Sequence, residues 1–235
     1  MGIFVQEDGT TVEEERTVTL YRIRATRPFG KWYNLNAVYK GELGGWLEKE
    51  ENLSQSGTCW VGGEACVWGD AFVCESARVT GQAQVYGNAV ISDYARVKGK
   101  AVVCDEAVVT GDTTVRGCAK VCGSARVECK ANVDGCAVVS GKAKICGYGD
   151  VYDNAQVTDE ALIFADAQVR GNGKVQGQAK VGDWAVVTGN GLVKDRADIR
   201  CFAHIMGNAI VEGDAKVTQF TFLGGNERVG GDVIY

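Results

Sequence analysis

The sequence predicts an all-β solenoid: one chain wound into about nine triangular coils of short parallel strands, behind a small N-terminal β cap. Three observations predict it. A six-residue register, small–x–aliphatic–x–turn–x, starts at Cys59 and runs to Leu223 without insertion or deletion. Its aliphatic column, from Val61 to Leu223, has 28 positions, all Val, Ile or Leu, and 22 are Val. Its turn column, from Gly63 to Gly225, holds 17 Gly and 6 Asp, while the whole chain has one Pro.

Spacing decides the element type. A helix turns every 3.6 residues, so a six-residue apolar period would wander around it. Small–x–aliphatic is the alternation of a short strand with one buried face. The small column supplies the second inward residue and holds 22 Ala among 28 positions. Gly or Asp two residues after the aliphatic residue gives the backbone freedom for a corner. Three six-residue sides close a coil of 18 residues, and nine coils at about 4.8 Å make a rod roughly 43 Å long. The single Pro, Pro28, lies outside the repeat, as it must where each coil donates hydrogen bonds to the next.

The ends do not fit the register. Residues 1–56 read as an N-terminal cap, with a period-two strand over 18–25 and a hairpin turn over 6–10. The acidic triplet 13–15 reads as a solvated run. A solenoid end exposes strand edges that need covering, and Trp46, Leu53 and Trp60 are expected to plug the first coil. The repeat proper is expected over 57–223. Residues 224–235 lose it and form a short tail, with Phe220, Phe222 and Tyr235, or another subunit, covering the last coil.

Composition narrows the function classes. Net charge is −5, which argues against nucleic acid and anionic membrane as partners. No run of 18 apolar residues marks a membrane span. The start lacks a basic region followed by an apolar stretch, and Gln6 stands where a myristoylation signal after Gly2 needs Ser or Thr. The expected location is therefore cytoplasmic, with the ten Cys mostly reduced. One His, His204, excludes any site built from several His of one chain.

The register resembles that of hexapeptide-repeat proteins, whose fold is a left-handed parallel β-helix; the handedness is implied by that resemblance, not by spacing. The lead-in segment 40–61 carries Gly44-Gly45-Trp46, then Asn52-Leu53-Ser54-Gln55, then Cys59-Trp60. It is similar to the lead-in of YdcK-type hexapeptide proteins and their phage and prophage relatives, described as acetyltransferases or as polymer-forming proteins. Hexapeptide acyltransferases use a His base at a groove between subunits of a trimer, and they extrude a loop from one coil. The resemblance thus implies CoA or acetyl-CoA as cofactor and His204 as base, if the chain is an enzyme. The unbroken register, with no loop, argues against catalysis. No cofactor is otherwise expected. A γ-class carbonic anhydrase shares the fold but needs several His ligands per site, which this chain lacks.

Candidate residues fall on the outer face. Trp184, Phe202 and Phe220 share one corner on consecutive coils. Val186, His204 and Phe222 lie beside them, with Met206 one place along. A contiguous apolar strip is unusual on a free surface, and aromatic residues and Met are enriched at interfaces. The strip is expected to mediate self-association, as a trimer through that face, or to bind a protein partner; the weakly capped ends offer an end-on dimer as the alternative. Arg78, Arg96, Lys98 and Arg116 form a basic cluster that could hold a small anion across a subunit interface, or be matched by neighbouring acids. Asn154, Asn172, Asn190, Asn208 and Asn226 share a corner and are expected to stack as an amide ladder. Cys104 with Cys122, and Cys118 with Cys136, stack 18 residues apart, but the two pairs lie too far apart for a four-thiolate zinc cage. They are expected to stay free thiols, since in-register stacking spaces Cβ atoms wider than a disulfide prefers. No metal site is expected.

Overall fold

The computed structural model describes residues 3–5, 17–30 and 37–231. The hairpin turn expected at 6–10, the acidic triplet 13–15 and Tyr235 lie outside the described residues. From Trp60 to Val229 the chain is a succession of two-residue strands, one every six residues. Each pairs in parallel with the strands 18 residues before and after; Val97, for example, lies between Val79 and Val115. The strands form three sheets of 13, 10 and 9 strands. Three strands of the first precede Trp60, so from Trp60 onward the solenoid has 10, 10 and 9 strands on its sides, about ten turns.

The interior is what the two inward columns dictate. Val and Ala of successive coils stack with essentially no exposure, from Val61 through Val217. The outward residue between them is half-buried or exposed on most strands, as at Arg96 and Lys120, and buried at Trp60, Cys66 and Val186. All 28 turn-column positions have positive φ, the 17 Gly and the 11 residues of other types alike. A Cβ on Gly111 would strike the carbonyl oxygen of Cys129 on the next coil. The six Asp of the column do more than tolerate the left-handed conformation. The carboxylates of Asp93, Asp105, Asp153, Asp159, Asp183 and Asp195 each accept the backbone N–H of the corner residue one coil on, at 2.7–3.0 Å. That N–H points away from the strand ladder, so the Asp satisfies a donor the ladder leaves over.

The repeat extends beyond both expected boundaries. At the C-terminal end Arg228–Val229 pairs with Ile210–Val211, and Gly225 and Gly231 keep the left-handed corner. The register therefore does not end at 223. Glu227 stands where Ala is the rule; it sits exposed and accepts the Gly224 N–H at 2.6 Å. Phe220 and Phe222 do not fold over the last coil but stand on its outer face, 72% and 62% exposed.

At the N-terminal end, β1 (Ile3–Val5), β2 (Thr19–Arg24) and β3 (Leu43–Leu47) form an antiparallel sheet. β3 then pairs in parallel with Cys66–Val67, placing Leu47 on Val67, and Leu53 bridges Val73. The first coil thus begins inside the segment assigned to the cap. It was hidden because eight residues, not six, separate Leu53 from Val61. Gly44 and Gly45 let β3 lie close: a Cβ on Gly45 would strike the Ala65 carbonyl oxygen and the Val61 side chain. Asn52, fully buried, accepts the Lys49 N–H at 3.0 Å and donates to the carbonyls of Gly69 and Ala71 at 3.0 and 2.8 Å. Leu47 and Leu53 join the solenoid core, whereas Trp46 and Trp60 occupy outward positions that the cap covers. The expected plug is therefore aliphatic, and the two tryptophans glue the cap to the outside of the first coil. No helix among the described residues is long and apolar enough to cross a membrane.

Candidate functional site

The apolar strip is built by the register. Corner positions 184, 202 and 220 lie one above another, and their rings stack face to face. Trp184 and Phe202 have centroids 5.0 Å apart at 6°, and Phe202 and Phe220 are 4.9 Å apart at 3°. Strand positions 186, 204 and 222 stand in register beside them. Trp184, Phe202, Phe220 and Phe222 are exposed, His204 and Met206 half-buried, and Val186 buried by its neighbours. The strip thus presents aromatic faces and edges rather than a cavity. Such rings supply large contact area at little cost in side-chain entropy.

His204 lies within the strip. Its ring sits 5.0 Å from Phe222, tilted by 38°. General-base work needs a partner that orients the imidazole, and no carboxylate is hydrogen-bonded to it among the described residues. The two acids closest in sequence are engaged elsewhere. Asp198 accepts from Arg200 at 2.8 Å, and Glu212 is held by Lys194 at 2.8 Å and Arg228 at 2.6 Å. Those two cations, Arg228 foremost, hold the Glu212 carboxyl down at about 2.

The basic cluster is largely matched by acids. Arg96 pairs with Asp112 at 2.7 Å and Arg116 with Asp134 at 2.6 Å. Arg78 lies half-buried with its guanidinium 5.8 Å from the centre of the Phe29 ring. Lys98 and Arg116 line a surface groove of about 460 Å³, but Asp134, Asp150 and Asp153 line it too. Its charge is mixed rather than positive. A second hollow, about 490 Å³, lies between the cap and the first coil, bounded by Ile23, Leu53, Trp60, Arg24 and Glu48.

Two ladders run along corners. Along the five asparagines each amide from Asn154 to Asn208 donates to the next up the axis, at 3.3, 3.1, 2.9 and 3.0 Å, and Asn226 accepts the last. A second corner stacks Trp68 on Tyr86, centroids 4.5 Å apart at 9°, and continues into Cys104 and Cys122. All ten cysteines are free. The Cys104 and Cys122 sulfurs and a carboxylate oxygen of Asp105 lie within 4.8 Å of one another. Spacing had paired the thiols but overlooked the acid beside them, although Asp105 follows Cys104 directly. The signal was there: a ligand type in the turn column next to a stacked Cys.

No protein-family model matches the chain. Over 76 residues it is 36% identical to the "Uncharacterized acetyltransferase YdcK" of Escherichia coli strain K12, a stretch that makes up 32% of this chain and 20% of that protein. The relationship is distant, and the chain matches about a fifth of the relative's length. Together with the stacked parallel coils it marks a β-solenoid of the hexapeptide-repeat kind with distant similarity to an acetyltransferase-like protein.

Proposed function

We propose that this chain is a non-catalytic structural or protein-interaction solenoid that self-associates through the Trp184–Phe202–Phe220 strip, working in the reducing cytoplasm. The observation that carries this reading is the exposure of three parallel stacked rings on consecutive coils, with Phe222 beside them. Exposed apolar surface of this continuity is costly in water and gains when a second copy covers it. The occupant is a second copy of this chain, in a trimer packed through that lateral face. Light scattering tests it: the wild type is expected at a multiple of 25.0 kDa and Phe202→Asp at the monomer mass. An unchanged mass in the variant rejects the strip as the contact.

A second reading is favoured by the name of the similar protein: a CoA-dependent acyltransferase with His204 as base and the strip as acceptor groove. It predicts that acetyl-CoA raises the melting temperature and is turned over, and that His204→Ala abolishes turnover. The solenoid reading predicts neither effect. The basic cluster as an anion site is the weakest reading, because Arg96 and Arg116 already have carboxylate partners.

A further inference from the structure

The corner that carries Trp68, Tyr86, Cys104 and Cys122 differs from the other corners in chemistry. Five other corner Asp residues accept a backbone N–H from the next coil as Asp105 does, and none of them belongs to a cluster of this kind among the described residues. At Asp105 two sulfurs on adjacent coils converge with the carboxylate. Val103 and Val121 are directly paired, so the following residues, Cys104 and Cys122, stack in register. Cys104 is 2% exposed and Cys122 half-buried, so one side of the cluster is dry and the other faces solvent.

We propose that Cys104, Cys122 and Asp105 form a binding site for a thiophilic divalent cation of the Zn²⁺ class, with water as the fourth ligand. Two thiolates and a carboxylate suit a borderline-soft ion in tetrahedral geometry. Metal–sulfur bonds of about 2.3 Å would set the ligand atoms roughly 3.5–3.8 Å apart, and they already lie within 4.8 Å of one another. Small side-chain rotations close the remainder. Asp105 uses one oxygen, Oδ2, to accept the Gly123 N–H at 2.7 Å, which orients the carboxylate; outer contacts of this type hold metal ligands in place.

Binding releases the thiol protons of Cys104 and Cys122 to solvent. The site is independent of the self-association strip, which lies on other coils.

Cd²⁺ is the probe, added to the reduced full-length protein and followed by its thiolate charge-transfer absorption. The expected result is a band that saturates at one Cd²⁺ per chain and is lost on adding excess Zn²⁺. Cys122→Ser should weaken binding at least ~100-fold, and Asp105→Asn about 10-fold. Asn keeps both the left-handed corner and the acceptor for Gly123, so this second variant reports on the ligand even if Cys122→Ser fails to fold. The exposed pair is the control: Cys118→Ser/Cys136→Ser should bind as the wild type does. Absence of the absorption band overturns the proposal. So does unchanged binding in both Cys122→Ser and Asp105→Asn, or loss of the band only in the Cys118/Cys136 variant.

Discussion

The two ends of the solenoid carry similar outward aromatic residues and treat them in opposite ways. On the first coil Trp46 and Trp60, each 7% exposed, are covered by the chain's own cap. Leu20 packs over Trp46, and Phe29, Val38 and Ala25 over Trp60. On the last three coils Trp184, Phe202, Phe220 and Phe222 are 40–72% exposed. The interior beneath both is aliphatic, with Leu47, Leu53 and Val61 at the first coil and Val187, Ile205 and Leu223 at the far end. The coil thus specifies its inside and leaves the outer columns open to other selection. At one end those columns bind the cap; at the other they stand exposed.

The largest expected difference comes from truncating an aromatic ring at each end. Trp60→Ala removes a covered ring and should cost about 3–5 kcal/mol, read as a lower urea midpoint. Phe220→Ala, measured at a concentration where the chain is monomeric, should stay within about 0.5 kcal/mol. Equal losses at both ends would erase the contrast. Next comes Asn52→Ala, which strips three hydrogen bonds from the junction of cap and first coil. It should cost about 2–3 kcal/mol, and limited proteolysis should then cut the cap before the coils. A loss spread evenly through the rod would mean the cap is not a separable layer.

Much of this was legible in the sequence and some was not, for identifiable reasons. The coil was readable because its three columns demand different chemistry: Val61 and its successors must be apolar, Ala65 and its successors small, and the Gly63 column tolerant of positive φ. The asparagine ladder and the strip followed from counting by 18. The first coil escaped notice because eight residues between Leu53 and Val61 break the count, though not the stacking. The last side escaped because Glu227 occupies a small-residue position. The acid partners of the basic cluster were readable in part: Arg116 and Asp134 stand 18 residues apart and stack in register, whereas Arg96 reaches Asp112, 16 residues on, across columns that a fixed register does not relate. Asp105 was missed because corner Asp residues were read for backbone freedom alone.

Smaller effects sharpen the contrast between inside and outside. Thr113 is fully buried in the small column, and its hydroxyl has no hydrogen-bond partner. Thr113→Val keeps the shape and removes the stranded group, so it should stabilise the protein by about 1–2 kcal/mol, visible as a higher melting temperature. A destabilised variant would mean that the hydroxyl has a partner after all. The smallest effect is local. Glu212, clasped by Arg228 and Lys194, keeps its carboxyl at about 2, well below its ordinary value of 4.5. A depressed carboxylate stabilises fully above the ordinary value and loses that contribution as pH falls from about 4.5 to about 2. The clasp joining the last two strands of its sheet should therefore loosen in that window, while Val97 and its neighbours stay protected. An NMR titration of the Glu212 carboxyl with a midpoint near 4.5 would show that the clasp does not hold in solution.

The central claim is that the exposed ladder at the far end is covered by a second copy. Sedimentation velocity over a dilution series tests it most directly, on the wild type and on Phe202→Asp/Phe220→Asp. The expected outcome is a wild-type species that dissociates on dilution and a double variant that sediments as a 25.0 kDa monomer throughout. Indistinguishable profiles for the two proteins, whether both monomeric or both assembled, would contradict it.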